Sequence, residues 1–139
     1  MRDDPSSIRL RVLIADDHEG MLRDMEYILS THFDVVGTAT DGITAVEAAA
    51  RLTPDLIVTD LAMPRLSGIE ASRRVLSLRP EMPIVIVTMH KDAQMIQEAL
   101  SIGIRGFVYK LSAGQELLAA AYAALGGEVF VSPACQEAR

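Results

Sequence analysis

The chain has one cysteine in 139 residues, no apolar run long enough to cross a bilayer, and no surplus of basic side chains. Each shortage removes a class of function. A lone thiol, Cys135, has no internal partner, so disulfides cannot hold the fold and a reducing cytoplasm is the expected setting. Its place near the end predicts an exposed, incidental thiol. The longest apolar stretch, "LLAAAYAALGG", is too short and too rich in alanine for a membrane span. The start, "MRDDPSS", lacks the apolar core of a signal peptide, and residues 1–7 are expected to form a disordered leader. With 13 basic against 19 acidic residues, the net charge is −6. Gripping nucleic acid needs a basic surface, so this segment is not expected to hold DNA itself. Internal repeats and low-complexity tracts are also missing. The length suits one compact domain.

What is present alternates. Apolar runs rich in β-branched residues fall at 8–16 ("IRLRVLIAD"), 54–60 ("PDLIVTD"), 82–89 ("MPIVIVTM") and 104–110 ("IRGFVYK"), with a weaker one at 33–40 ("FDVVGTAT"). The continuous apolar character at 57–58 and 84–87 is that of strands buried on both faces of a parallel sheet. Between them, Met21, Leu22, Met25, Ile28 and Leu29 recur at helical spacing, as do Met95, Ile96, Ala99 and Leu100. Leu117, Leu118, Ala121 and Leu125 repeat the pattern after "SAGQ" (112–115), which reads as a capping box. Gly103 and Gly126-Gly127 read as helix stops.

Five strand–helix alternations with short connections predict an α/β, flavodoxin-like, doubly wound (βα)5 fold around a five-stranded parallel sheet. A closed barrel needs about 200 residues or more. The segment 127–139 is expected to begin a linker outside the core.

In open α/β sheets, ligands sit at the carboxyl ends of the strands. There the runs deliver Asp16 and Asp17, Asp60, Thr88 and Lys110. Taken alone, the Asp-Asp pair would more often be a solvated turn capping a helix. Lys110 alone would be a surface lysine and Thr88 a strand-end residue, so the constellation carries the case. Three converging carboxylates raise one another's pKa unless a cation intervenes. A hard divalent ion such as Mg2+ suits oxygen ligands and leaves positions for phosphate oxygens. With Lys110 as a positive charge and Thr88 as a hydroxyl donor, the set fits a phosphoryl group, and a carboxylate can be the nucleophile that accepts it.

"ADD" at 15–17, "TDLAMPRLSGIEA" at 59–71, "VTMH" at 87–90 and "GFVYK" at 106–110 together resemble the receiver domain of bacterial two-component response regulators. The match spans roughly residues 8–126. The resemblance implies strand order 2-1-3-4-5 and a switch that takes a phosphoryl group on Asp60 from a sensor histidine kinase. Asp16, Asp17, Asp60 and the backbone carbonyl of Ala62 would hold Mg2+, with Mn2+ as the alternative ion. Thr88 and Lys110 would contact the phosphoryl oxygens, with Thr88 and Phe107 as the moving switch pair. Ala62 and His90 would stand on the rim and set the acyl phosphate's lifetime; plain exposure is the equal alternative for His90. His18 is read as lining a helix start, with a place near the metal as the alternative, and Met63-Pro64 and Gly68 are read as shaping the loop after Asp60. Lys110 is followed by Leu111-Ser112 instead of proline, which resembles the NarL/FixJ branch, as does "LLAAAYAALGGEVFVSP". That branch implies a receiver piece of a transcription factor whose DNA-binding domain lies outside this chain, with a stand-alone receiver as the alternative. A homodimer on phosphorylation is a further expectation, and a membrane partner is not.

Other functions on this fold fit less well. A phosphatase of the haloacid dehalogenase type wants a second aspartate two residues after the nucleophile, where Ala62 stands. A nucleotide or flavin carrier wants a glycine- or hydroxyl-rich loop after the first strand, where the chain has Asp16-Asp17-His18-Glu19. A degenerate docking module would lack one of the five residues, and none is missing.

Overall fold

A computed structural model describes residues 9–136; the expected leader, 1–7, lies outside the described residues. Strands and helices alternate as β1 (Arg11–Ala15), α1 (Glu19–Ser30), β2 (Asp34–Ala39), α2 (Gly42–Leu52), β3 (Leu56–Asp60), α3 (Gly68–Leu78), β4 (Ile84–Thr88), α4 (Ala93–Ser101), β5 (Gly106–Tyr109) and α5 (Ala113–Leu125). A two-residue strand β6 (Phe130–Val131) and a short helix α6 (Pro133–Gln136) complete the described chain. All strand pairs are parallel, in the order 2-1-3-4-5-6.

The two-residue period of the strands divides the core into two layers. Val12, Ile14, Val58, Val85, Val87 and Val108 face α1 and α5, where they meet Leu22, Met25, Leu29 and Leu117. Leu13, Ile57, Ile84, Ile86 and Phe107 face the other way, onto α2, α3 and α4. Strands β3 and β4 are buried along their whole length, which is why their sequences are continuously apolar. The weaker run at 33–40 is an edge strand, and its residues are correspondingly half-exposed.

The helix boundaries follow local chemistry. Asp41, Ser67 and Asp92 accept hydrogen bonds from the backbone N–H of Thr44, Glu70 and Gln94, capping α2, α3 and α4. Gly103, just past the cap of α4, has φ +107°, a conformation that a side chain resists.

Four expectations need correction. The sheet has six strands, not five. Residues 130–136 do not leave the core: Phe130 and Val131 pair with β5, Val131 is buried, and Cys135 is fully buried instead of exposed. The physical reason is that β5 would otherwise end the sheet with open backbone groups, and the tail satisfies them. Phe130 N–H donates to Arg105 O at 2.9 Å and Ser132 N–H to Phe107 O at 2.8 Å. The capping box at 112–115 does not form either. Residues Lys110–Ser112 make a 3-10 turn that runs straight into α5, so Ser112 lacks the extended backbone that capping requires and makes no cap bond.

Candidate metal and phosphoryl site

Strand register assembles the site. Ala15 lies opposite Thr59, so Asp16, one step on, comes level with Asp60. Asp60 lies opposite Val87, which places Thr88 one step further. Thr88 in turn lies opposite Tyr109, with Lys110 next. Four side chains from four strands thus reach one edge of the sheet, and Asp16, Asp60 and Thr88 are all buried.

Lysine joins the acids directly. Lys110 Nζ lies 3.0 Å from Asp16 Oδ2 and donates to Asp60 Oδ2 at 3.2 Å. The other oxygen of Asp60 accepts from the Leu61 N–H at 2.7 Å. Asp16 Oδ1 accepts from the His18 N–H at 2.8 Å, folding the chain into the start of α1. Burial pushes the Asp60 carboxyl above the usual carboxylate range, the Asp16 charge adds to the push, and Lys110 offsets only part of it. For Lys110, burial works against the charged form, but the neighbouring Asp16 and Asp60 carboxylates outweigh it and hold the ammonium above its ordinary range.

Two buried acid oxygens are incompletely satisfied: Asp16 Oδ2 meets only the Lys110 ammonium, and Asp17 Oδ1 makes no hydrogen bond and has only the His18 ring beside it. Donor atoms of Asp16, Asp17, His18 and Asp60 all lie within 4.8 Å of one another. Under-satisfied carboxylate oxygens in a cluster of this size suit a hard divalent cation, so the donor set fits the Mg2+ that the sequence implies. His18 stands at the start of α1, as expected, without a side-chain capping bond, and it turns Nδ1 to within 3.4 Å of Asp16 and 3.3 Å of Asp17. Residue spacing leaves both places open for His18 because it does not reveal a ring orientation.

Thr88 Oγ1 accepts from the His90 N–H at 3.0 Å, so its hydroxyl stands beside the acids without touching them. Phe107 is fully buried on the α4 side of β5. Ala62 and His90 are exposed and both line a groove of about 260 Å3, together with Leu61, Ile69 and Met95 and the polar Ser67, Glu70 and Glu98. The loop after Asp60 owes its path to Gly68. A Cβ there would lie 2.0 Å from the Asp60 carbonyl oxygen, and the Gly68 N–H donates to Leu61 O at 2.7 Å. Arg65, in the same loop, adopts φ +70° and sets its guanidinium 3.4 Å from Asp41, the cap of α2. Nothing in the sequence spacing signalled that tie.

Comparison with known proteins agrees with this geometry. The family model for the response regulator receiver domain matches residues 12–122. The transcriptional regulatory protein YdfI of Bacillus subtilis is 31% identical over 88% of this chain. The oxygen regulatory protein NreC of Staphylococcus carnosus is 30% identical over 89% of it. The chain spans 58% of the length of each. Among solved structures, a two-component response regulator of the LuxR family from Aurantimonas has a TM-score of 0.88 at 30% identity, covering 93% of this chain and 94% of that one. The isolated receiver domain of RcsB from Salmonella enterica, solved with the phosphomimetic BeF3−, has a TM-score of 0.85 at 26% identity, covering 94% and 98%. By strand order, by the residues at the strand ends and by these matches, the chain belongs to the response regulator receiver domain family.

Proposed function

We propose that this chain takes a phosphoryl group on Asp60 from the phosphohistidine of a sensor histidine kinase and reads it out as a change of partner or dimer face. The observation that carries the reading is the pair of Asp60 and Lys110, 3.2 Å apart, beside the Asp16 and Asp17 carboxylates, whose donors are within 4.8 Å of Asp60. An Asp60 carboxylate oxygen attacks phosphorus, the phosphorus–nitrogen bond of the donor breaks, and an acyl phosphate forms. Burial that raises the Asp60 pKa also leaves its carboxylate poorly solvated, which favours attack. Lys110 neutralises the equatorial oxygens as charge develops, and the Thr88 hydroxyl turns from the His90 N–H to donate to one of them.

Asp16, Asp17, Asp60 and the Ala62 carbonyl are the residues to hold Mg2+, with Mn2+ the alternative. When bound, the ion supplies charge neutralisation for the acids and the phosphoryl oxygens. Ala62 and His90, which line the same groove, control how readily water reaches the acyl phosphate. The domain also accepts phosphoryl groups from small acyl phosphates and loses them slowly by hydrolysis. In a longer protein it would control transcription through a DNA-binding domain outside this chain, in the cytoplasm where its kinase delivers the phosphoryl group. Treatment with a small acyl phosphate and Mg2+ should add one phosphoryl group, seen by intact-protein mass spectrometry. Asp60→Ala should stay unmodified. Equal labelling of that variant, or none of the wild type with Mg2+ present, refutes the reading.

A further inference from the structure

The C-terminal segment 130–136 is tied down more firmly than a connecting segment requires. Its backbone pairs with β5 through Phe130 N–H to Arg105 O and Ser132 N–H to Phe107 O. The Ser132 hydroxyl, fully buried, donates to the Glu116 carboxylate on α5. Gln136 Nε2 folds back onto Val131 O at 2.8 Å. On the other side of the sheet edge, Val131 and Cys135 enter the same apolar cluster as Phe107, Ile96 and Ala99, bridging β5 to α4. One short segment therefore ties β5 to α5 and fills the apolar cluster that α4 also lines.

Phe107 lies under this clasp. It pairs directly with Val131 and its carbonyl is held by the segment's own N–H. Its neighbour on β4 is Ile86, two residues before Thr88. Side chains two apart on a strand share a face, so a swing of the Thr88 hydroxyl toward a group on Asp60 would open space on the face that Ile86 and Phe107 occupy. Gaps in a close-packed interior are costly, so a bulky ring kept inward stabilises the swung position.

We propose that residues 130–136 act as a strap that keeps Phe107 inward, so that closing the strap and loading Asp60 favour each other. The proposal rests on the phosphoryl site described above. Coupling of this kind is reciprocal: loading tightens the strap, and loosening the strap weakens loading by the same factor. The strap is then a second input to the switch, open to anything that pulls on or binds the C-terminal segment.

The chain provides its own probe, because Cys135 is its one cysteine and is fully buried beneath the strap. The thiol is labelled with 5,5′-dithiobis(2-nitrobenzoate) in wild type, Ser132→Ala and Glu116→Ala, each with and without Mg2+ and beryllium fluoride. Fluorine NMR reports occupancy of Asp60 independently. In wild type, labelling should run far below the rate of the guanidinium-unfolded chain and slow several-fold further once beryllofluoride is bound. Ser132→Ala should speed labelling roughly tenfold or more, the usual effect of losing a hydrogen bond to a charged group, and should weaken beryllofluoride binding. Glu116→Ala should do the same without touching the tail.

Wild-type labelling at the unfolded rate overturns the strap. Bound beryllofluoride with unchanged labelling in all three proteins overturns the coupling. Absence of beryllofluoride binding to wild type overturns the phosphoryl site and the coupling with it, while the contrast between wild type and Ser132→Ala still decides the strap.

Discussion

At Asp60 the protein holds an ionised acid where burial and a second acid oppose it. Its pKa is raised in the fold, so ionisation at neutral pH costs stability, and that cost disappears as pH falls through the raised value. Asp60→Asn should therefore melt a few degrees higher than wild type at pH 7 without metal, and the gap should close on acidification. Thermal melts at several pH values check this, and a lower Tm for the variant at pH 7 contradicts it. Gly68 tests the loop behind the same residue. Gly68→Ala would set a methyl group 2.0 Å from the Asp60 carbonyl oxygen, which must move. The expected loss is about 1–3 kcal/mol by chemical denaturation. Asp16, Asp17, Asp60, Thr88 and Lys110 were legible in the sequence because each polar residue closes an apolar run, and runs reveal strand ends. The Arg65–Asp41 tie was not, and the turn of His18 toward both acids was only one of two readings, because side-chain direction depends on loop paths that no periodicity encodes.

Elements were legible in proportion to their length. Helices α1, α4 and α5 announce themselves by apolar spacing over several turns, and β3 and β4 by uninterrupted apolar runs. A two-residue strand has no period to read, so β6 was missed, and with it the burial of Cys135. The failure of Ser112 to cap α5 has a similar origin: the preceding 3-10 turn is three residues long, too short to leave a period in the sequence. The packing of α5 is itself testable. Leu117 is fully buried against the valines of the sheet, and Leu117→Ala should cost about 2–5 kcal/mol in unfolding free energy. Arg73 offers the contrast. It ion-pairs with Glu70 and, from α3 across to α4, with Glu98 at 2.6 Å, but all three side chains are exposed. Arg73→Ala should change stability by less than about 1 kcal/mol.

Across the whole molecule, the fold gathers acids from two strands at one edge and leaves their cost to be met by a cation. Among the described residues no helix is long and apolar enough to cross a membrane. Mg2+ should raise the melting temperature of wild type, by an amount that corresponds to about 2.7 kcal/mol at a hundred times its dissociation constant. Asp17→Ala should lose most of that rise, and an undiminished shift in the variant contradicts the metal role of Asp17. The switch turns on which atom receives the phosphoryl group. Borohydride reduces an acyl phosphate to the corresponding alcohol, so peptide mapping after acyl-phosphate treatment with Mg2+ identifies the modified residue. Homoserine at position 60 alone is the predicted result; homoserine at position 16 or 17 would contradict it.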